Sequence, residues 1–449
     1  MASPAAAASR SLVTWITRPA ATPPCYGDPM AVMARWRGRT HGVIAGLLLA
    51  LTLAGAAALG ADLPADQQPG ARTRIDPSRL PLPYATDSVE NAPETIPRPR
   101  QPPFRLPPGF IVNAFAEDLT NPRWLAVAPN GDVFLAESSA GKVTLLRDSG
   151  GSGRADLVTT FASGFRQPHG LAIQGEFLYV ADIDGVWKLP WRPDMTKAEG
   201  APVPVTSPGA FGGSQTHWTR TLLFNRDGSR FYVAIGASTN LGEDPLPRAS
   251  VQSFNADGGD QRTLAAGLRN PVGLALYPGT DQVYAVVDER DEMGDGLVPD
   301  FLTRLQNGGF YGWPYAYIGR NPQPDFSQRP DLVDKTLVPD LLFQAHSSPL
   351  GLVFYTGTQF PEDYRGDAFV ALHGSWNRSD PTGYKVVRVP FKNGQPLGYY
   401  ETFLSGFWLS GDQRAKVWGR PAGLAVAADG SLLIADDAGN AVWRVSYHP

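Results

Sequence analysis

The form GLRNPVGLAL at 267–276 recurs along the chain, as QPHGLAI (167–173), SSPLGLVFY (347–355) and GRPAGLAV (419–426). Each copy carries polar or basic residues, a Pro, a small residue and then an apolar run. Most units lead into a turn and a second strand-like run, as in PNGDVFLAES (129–138), QGEFLYVADI (174–183), RDGSRFYVAIG (226–236), PGTDQVYAVV (278–287) and ADGSLLIADD (428–437). A unit that presents a polar loop and then buries strands predicts a repeat architecture. Small sheets repeated around an axis gather those loops at one end, and function would sit there.

The units number six, with leading apolar residues at Leu125, Leu171, Leu222, Leu274, Leu352 and Leu424. A spacing of about 40–50 residues is the size of a four-stranded propeller blade. The two longest spacings leave room for insertions, among them DERDEMGDGLVPD (288–300) and HGSWNRSDPTGYK (373–385). The expected fold is all-β, a six-bladed β-propeller over residues 108–449. FIVNAFAEDL (110–119) alternates at period two and should close the ring by pairing near VWRVSY (442–447). A β-sandwich is the other reading, but it has no need of six similar units. The 48 Gly and 42 Pro suit such a turn-rich chain.

Residues 1–61 form an N-terminal extension with an export leader. ARWRGRTHG (34–42) is basic, VIAGLLLALTLAGAAALG (43–60) is apolar, and small residues run up to Ala61. That order is a secretory signal. Met30 or Met33 is the better start for it. An uncleaved membrane anchor is the alternative. The expectation is an exported protein, periplasmic or secreted. Cys25 is the only cysteine and precedes the leader, so the mature chain has no disulfide and no thiolate metal site. Residues 62–107 are a Pro-rich linker, either a disordered tether or an extended arm on the propeller surface; 62–108 hold 12 Pro, too many for a helix or central strand. Beyond residue 61, 34 basic side chains face 42 acidic ones with no basic run, which argues against nucleic acid as a partner.

Five His follow the leader: His169, His217, His346, His373 and His448. The first four stand in QPHG, QTHW, QAHSS and LHGSW, at loop ends beside strands. Imidazole can serve as a general base near neutral pH. Arg269, Arg378 and Arg420 fall in the same class of loop, and aimed into one funnel they would bind an anion bearing several carboxylates. Trp376 and Trp218 offer flat faces for an aromatic ring. The acidic run Asp288, Glu289, Asp291, Glu292, Asp295 and Asp300 is either a calcium loop or a solvated acidic loop.

LRNPVGLAL (268–276), DERDEMGD (288–295), NGGFYGWPYAY (307–317), SSPLGLVFYTG (347–357), ALHGSWNR (371–378) and GRPAGLAVAADGSLLIADD (419–437) together resemble the glucose/sorbosone dehydrogenase family, most closely its L-sorbosone dehydrogenase-like branch. These are soluble six-bladed propellers that use pyrroloquinoline quinone (PQQ) and calcium. The resemblance implies that His217 takes the proton from a sugar hydroxyl, with His169 the rival base. It implies that Arg269 and Asn270 hold the quinone and its reacting carbonyl, and that Arg420 binds a cofactor carboxylate. Ser238 would be a polar cofactor contact, and His169, His346, Trp376 and Arg378 would complete the cofactor site. Asp291 and Glu292 stand where the family binds calcium through main-chain carbonyls. The implied substrate is an aldose or a sorbosone-like aldehyde, with electrons passed to an external acceptor. A calcium-dependent lactonase-type hydrolase would instead line the funnel with Glu and Asp. A non-catalytic exported binding propeller is the third reading.

Overall fold

Apolar runs of four to seven residues, broken by Gly-, Asp- and Pro-containing turns, fold as antiparallel hairpins throughout residues 110–447. The computed structural model describes residues 63–213 and 216–449. The expected leader at 34–61 and Cys25 lie outside the described residues. Among these the chain is nearly all-β, with one four-residue helix, Pro330–Val333, and three short 3-10 turns. No described helix is long and apolar enough to cross a membrane.

Six sheets have four or five strands. Each begins with the strand that the repeat marks: Pro122–Val127, Gly170–Gln174, Leu222–Phe224, Asn270–Leu276, Pro349–Phe354 and Pro421–Val426. These leading strands neighbour one another in chain order, and the last returns beside the first. One cavity of about 440 Å3 is lined by all six, and it takes in the six leading leucines. The polar loops stand at the opposite, N-terminal ends of these strands.

The small residue of the repeat has a steric cause. A Cβ at Gly170 would stand 2.3 Å from the Arg220 carbonyl oxygen, at Gly273 2.6 Å from that of Leu350, at Gly351 2.2 Å from that of Ala422, and at Gly423 2.4 Å from that of Arg123. Three of these contacts are with the leading strand of the next sheet, and the one at Arg220 is with the residue pair just ahead of it. Only glycine lets these backbones approach so closely.

The strand Phe110–Ala116 pairs antiparallel with Ala441–Tyr447, with Phe110 opposite Tyr447, so the sixth sheet takes its outer strand from ahead of the first. This is the pairing expected from the sequence. Residues 63–107 lie along the outside. Arg72–Thr73 pairs with the fifth sheet through Tyr400–Leu404, and Glu94–Thr95 pairs with Lys416–Val417. The buried Lys385 ammonium donates to the Asp66 carboxylate and carbonyl at 2.8 Å, which ties the start of this arm to the fifth sheet.

Candidate active site

The second strand of three sheets ends in an acid that receives a main-chain amide from the loop ahead of its own leading strand. Glu137 accepts from Thr120, Asp182 from Arg166 and Asp436 from Arg420. At the same register the third, fourth and fifth sheets hold Ile235, Val287 and Leu372, and polar side chains gather around the residues that follow them, Gly236, Asp288 and His373.

Gly236 leaves room where a Cβ would meet Asn270 Oδ1 at 2.4 Å and His217 Cβ at 2.6 Å. The next residue, Ala237, holds His217 and the main chain just ahead of Asn270. The Ala237 carbonyl lies 2.7 Å from His217 Nδ1, and the Ala237 amide donates to the Arg269 carbonyl at 2.6 Å. A carbonyl can only accept, so Nδ1 carries the proton and Nε2 is left with its lone pair. Burial first, and the Arg269 guanidinium second, lower the His217 imidazole to about 3, so it is neutral at working pH.

Arg269 is buried between carboxylates. It meets Asp291 at 3.0 Å and Asp288 at 3.3 Å, and donates to Asn240 Oδ1 at 3.0 Å. Asn270 Nδ2 donates to Asp288 at 3.2 Å. His346 spans Asp291 Oδ1 at 3.1 Å and the Gly294 carbonyl at 3.0 Å. Burial raises the Asp288 and Asp300 carboxyls. Asp300 is held from beneath by Ser347, by the Ser348 amide and by the Glu289 amide. Arg269 Nε and Asn270 Oδ1 are buried with no hydrogen-bond partner among the described residues. Polar atoms left in that state are costly unless something else completes them.

A third group adjoins. His373 Nε2 lies 2.9 Å from Asp437, which also pairs with Arg123. Arg123 stands over the Trp218 ring at 5.1 Å. Arg420 donates to the His373 and Gly374 carbonyls at 3.0 and 2.9 Å. Burial and the Arg420 charge lower His373 to about 4. His169 is fully buried between Trp124 and Trp218, at ring separations of 4.8 and 5.7 Å, and burial holds its imidazole well below the ordinary value. It has no open face for a base.

The structure thus brings together His217, Arg269, Asn270 and His346, with Arg420 in the adjoining group. Three other expectations meet a different arrangement, and the calcium site expected on main-chain carbonyls draws nothing from the side chains at 291 and 292. Ser238 gives both its hydroxyl and its amide to Asp244, so its hydroxyl proton is already committed. Arg378 donates to the carbonyls of Asp295 and Asp380, and thereby holds a loop. Trp376 is 42% exposed, with its carbonyl taken by the Asn91 amide. The calcium ligands do not assemble as side chains. Asp291 is spent on Arg269 and His346, Glu292 is exposed, and no three His, Cys, Asp or Glu among the described residues stand close enough to hold a metal. Calcium needs several free oxygens, and this carboxylate already faces two cations or donors.

Sequence reasoning passed over Arg123, Arg220, Arg248, Asn240 and Asp437. Arg248 donates to the Ala237 carbonyl at 2.8 Å, and buried Arg220 to that of His217 at 2.8 Å. Arg123 and Arg220 stand two residues before the leading leucines in NPRWLA and WTRTLL as His169 does in QPHGLA, so repeat alignment could have found them.

A family model described as TrAA12-like matches residues 104–298 and 331–448, and one described as Glucose / Sorbosone dehydrogenase matches 234–376. An uncharacterised protein of Borreliella burgdorferi is 27% identical, over 77% of this chain and 91% of its own. The pyrroloquinoline quinone-dependent pyranose dehydrogenase of Coprinopsis cinerea is 25% identical over 75% of this chain; the chain spans 54% of that relative. Among solved structures, the holo PQQ domain of the Coprinopsis cinerea pyranose dehydrogenase has a TM-score of 0.66 at 21% identity, covering 80% of this chain and 100% of its own. The calcium structure of a Trichoderma reesei AA12 enzyme has a TM-score of 0.64 at 22% identity, covering 78% and 98%. These two likenesses speak for the fold.

Proposed function

Since the chain belongs to the TrAA12-like family, and to the Glucose / Sorbosone dehydrogenase family over residues 234–376, we propose that it is a PQQ-dependent dehydrogenase oxidising an aldose or a sorbosone-like sugar aldehyde. On this reading the six sheets are the blades of a six-bladed propeller. The ring of leading strands and the glycines between them support it. Electrons leave to an external acceptor.

The residues present fit a flat polyanionic quinone. Arg123 and Arg269 are buried and Arg420 half-buried at the loop end, and Arg269 Nε and Asn270 Oδ1 lack partners among the described residues. A bound anion with ring carbonyls would supply an acceptor and a charge to Arg269 Nε, whereas Asn270 Oδ1, itself an acceptor, would take a donor such as a hydroxyl. Arg269 and Asn270 would hold the group's reacting edge, and Arg420 would contribute positive charge to a carboxylate. When bound, the quinone supplies the hydride acceptor.

The rest of the chemistry belongs to this chain. His217 Nε2 receives the proton of the substrate hydroxyl, and the Ala237 carbonyl keeps the other ring nitrogen protonated and the ring aimed. Arg269 stabilises negative charge that develops beside it. Asp291 and Asp288 keep the guanidinium in place. No step is routed through calcium; a cation here would rest on the main-chain carbonyls of Asp291 and Glu292, since their side chains do not form a cation site. Asp288, Asp291 and Asp437 are paired with Arg or His, which is the wrong arrangement for a lactonase-type metal centre.

The single observation that carries the reading is the Ala237 peptide, which holds a neutral imidazole and the Arg269 main chain from its two sides. The test is to load the purified chain with PQQ and follow dye reduction over aldoses and sugar aldehydes. His217→Gln should lower turnover by ~10²–10⁴-fold with quinone affinity little changed. His169→Gln should keep turnover. Turnover surviving in His217→Gln and lost in His169→Gln would exchange the two roles. Absence of quinone binding by the wild-type chain would end the reading. Export is proposed from residues 34–61, and mass spectrometry of the mature chain should find its N-terminus near Asp62.

A further inference from the structure

The loop from Asp291 to Gly296 carries the carboxylate that pairs with Arg269 and His346, yet almost none of its main chain is held by its own sheet. Asn240 holds the Asp291 amide and carbonyl at 2.9 and 3.2 Å and Arg378 the Asp295 carbonyl at 2.6 Å; the stretch between them is held by the arm. The Tyr84 amide donates to the Met293 carbonyl at 3.0 Å, Ser88 Oγ accepts the Gly294 amide at 3.2 Å, and Thr86 Oγ1 accepts the Asp295 amide at 2.7 Å. The approach is tight: a Cβ at Gly294 would stand 2.7 Å from the Thr86 carbonyl oxygen, and one at Gly296 2.8 Å from Pro81.

A second contact runs through one side chain. Buried Asn377 donates to the Val89 carbonyl at 2.9 Å and accepts the Glu292 amide at 2.9 Å, so one amide group ties the arm to the residue beside Asp291. Asn91 secures this from behind. Its amide donates to the Trp376 carbonyl at 2.6 Å, and its side chain to the carbonyls of Arg378, Ser379 and Gln413 at 3.1, 3.0 and 2.7 Å. The far side of the loop meets His346 Nε2 at Gly294.

We propose that Pro81–Asn91 is a strap that sets the position of Asp291, with Asn377 and Asn91 as its positioning residues. The strap holds the 291–296 loop against the fourth and fifth sheets. Asp291 then faces Arg269 and His346 together, and Arg269 is presented in one orientation. None of the strap residues touches the reacting atoms; they act through the loop. The consequence for turnover rests on the sugar-oxidation reading, whereas the positioning itself does not.

The experiment compares apo wild type, Asn377→Ala and the surface double variant Thr86→Val/Ser88→Ala, the last as a form that folds even if the buried change does not. Hydrogen exchange at the Glu292, Gly294 and Asp295 amides should accelerate about 10-fold or more, since each loses a partner and local opening becomes easier. Exchange at the Gly258 amide, in a turn of the third sheet, should not change. The ring 15N signals of His346 in His-labelled protein should shift, because the Asp291 contact loosens. Wild-type exchange at all three amides in both variants would overturn the strap. Faster exchange with His346 signals unmoved would show a merely structural clasp and would also overturn the proposal. In PQQ-loaded enzyme the double variant should bind quinone several-fold more weakly. A wild type that binds no quinone would sink the sugar-oxidation reading alone, since the exchange and His346 arms are read without it.

Discussion

His217 is buried as a neutral imidazole, and that has a stability consequence. Its folded value, about 3, lies below the unfolded value near 6.5, so the unfolded chain binds the proton first as pH falls. The group contributes nothing above pH 6.5 and costs stability progressively between pH 6.5 and 3. His217→Gln removes this cost. On going from pH 7 to pH 5 the variant should therefore gain about 2 kcal/mol relative to wild type. Chemical denaturation at the two pH values measures it, and a pH-independent difference would mean that the imidazole titrates in the fold as it does in the unfolded chain. Arg269→Ala should act differently, weakening quinone binding and lowering turnover together, because the guanidinium both binds and stabilises charge. At this scale the sequence showed residue types and loop positions. It could not show which partner each side chain takes. Ser238 looked free until Asp244, six residues on, claimed it, and Arg378 pointed away because Asp295 offered a carbonyl 83 residues back.

The repeat was legible at the level of elements because strand period and turn residues are local signals. The departures from it mark the site. Glu137, Asp182 and Asp436 close their own loops, while the other three sheets put Ile235, Val287 and Leu372 there, and the residues that follow, Gly236, Asp288 and His373, serve His217, Arg269 and Asp437. Local rules are commonly broken where function sits. The strap was not legible beyond its Pro content, since its partners lie some 200 to 320 residues away and are mostly main-chain atoms. The glycines between leading strands give a direct test. Gly351→Ala puts a Cβ 2.2 Å from the Ala422 carbonyl oxygen, backbone that cannot yield locally. It should cost about 1–3 kcal/mol or more in denaturant unfolding. Gly150→Ala, with nothing within 4 Å, is the control and should stay near wild type. Equal stability of the two variants would mean that neighbouring leading strands are not in that contact.

The whole molecule depends on a pairing between its two ends. Phe110–Ala116 comes before the first sheet, yet it completes the sixth. The seam is sealed by aromatic rings: Phe110 meets Phe360, Tyr447, Phe403 and Tyr364 at centroid separations of 4.8, 4.9, 5.0 and 5.2 Å. These partners belong to the fifth and sixth sheets and the turn between their strands, so one side chain joins the start of the ring to its end. Such a contact forms late, because closing a loop of this length comes before any reward from it. Phe110→Ala should remove about 3–5 kcal/mol. The loss should appear mainly as faster unfolding, since a contact absent from the folding transition state changes the unfolding rate. Hydrogen exchange should rise together in 110–116 and in 441–447, because the two strands share one ladder. The second sheet, Gly170–Gln174 through Val203–Pro204, should open only in global unfolding. Faster exchange confined to 110–116, with 441–447 still protected, would mean that the sixth sheet stands without its outer strand and that the seam is not what closes the ring.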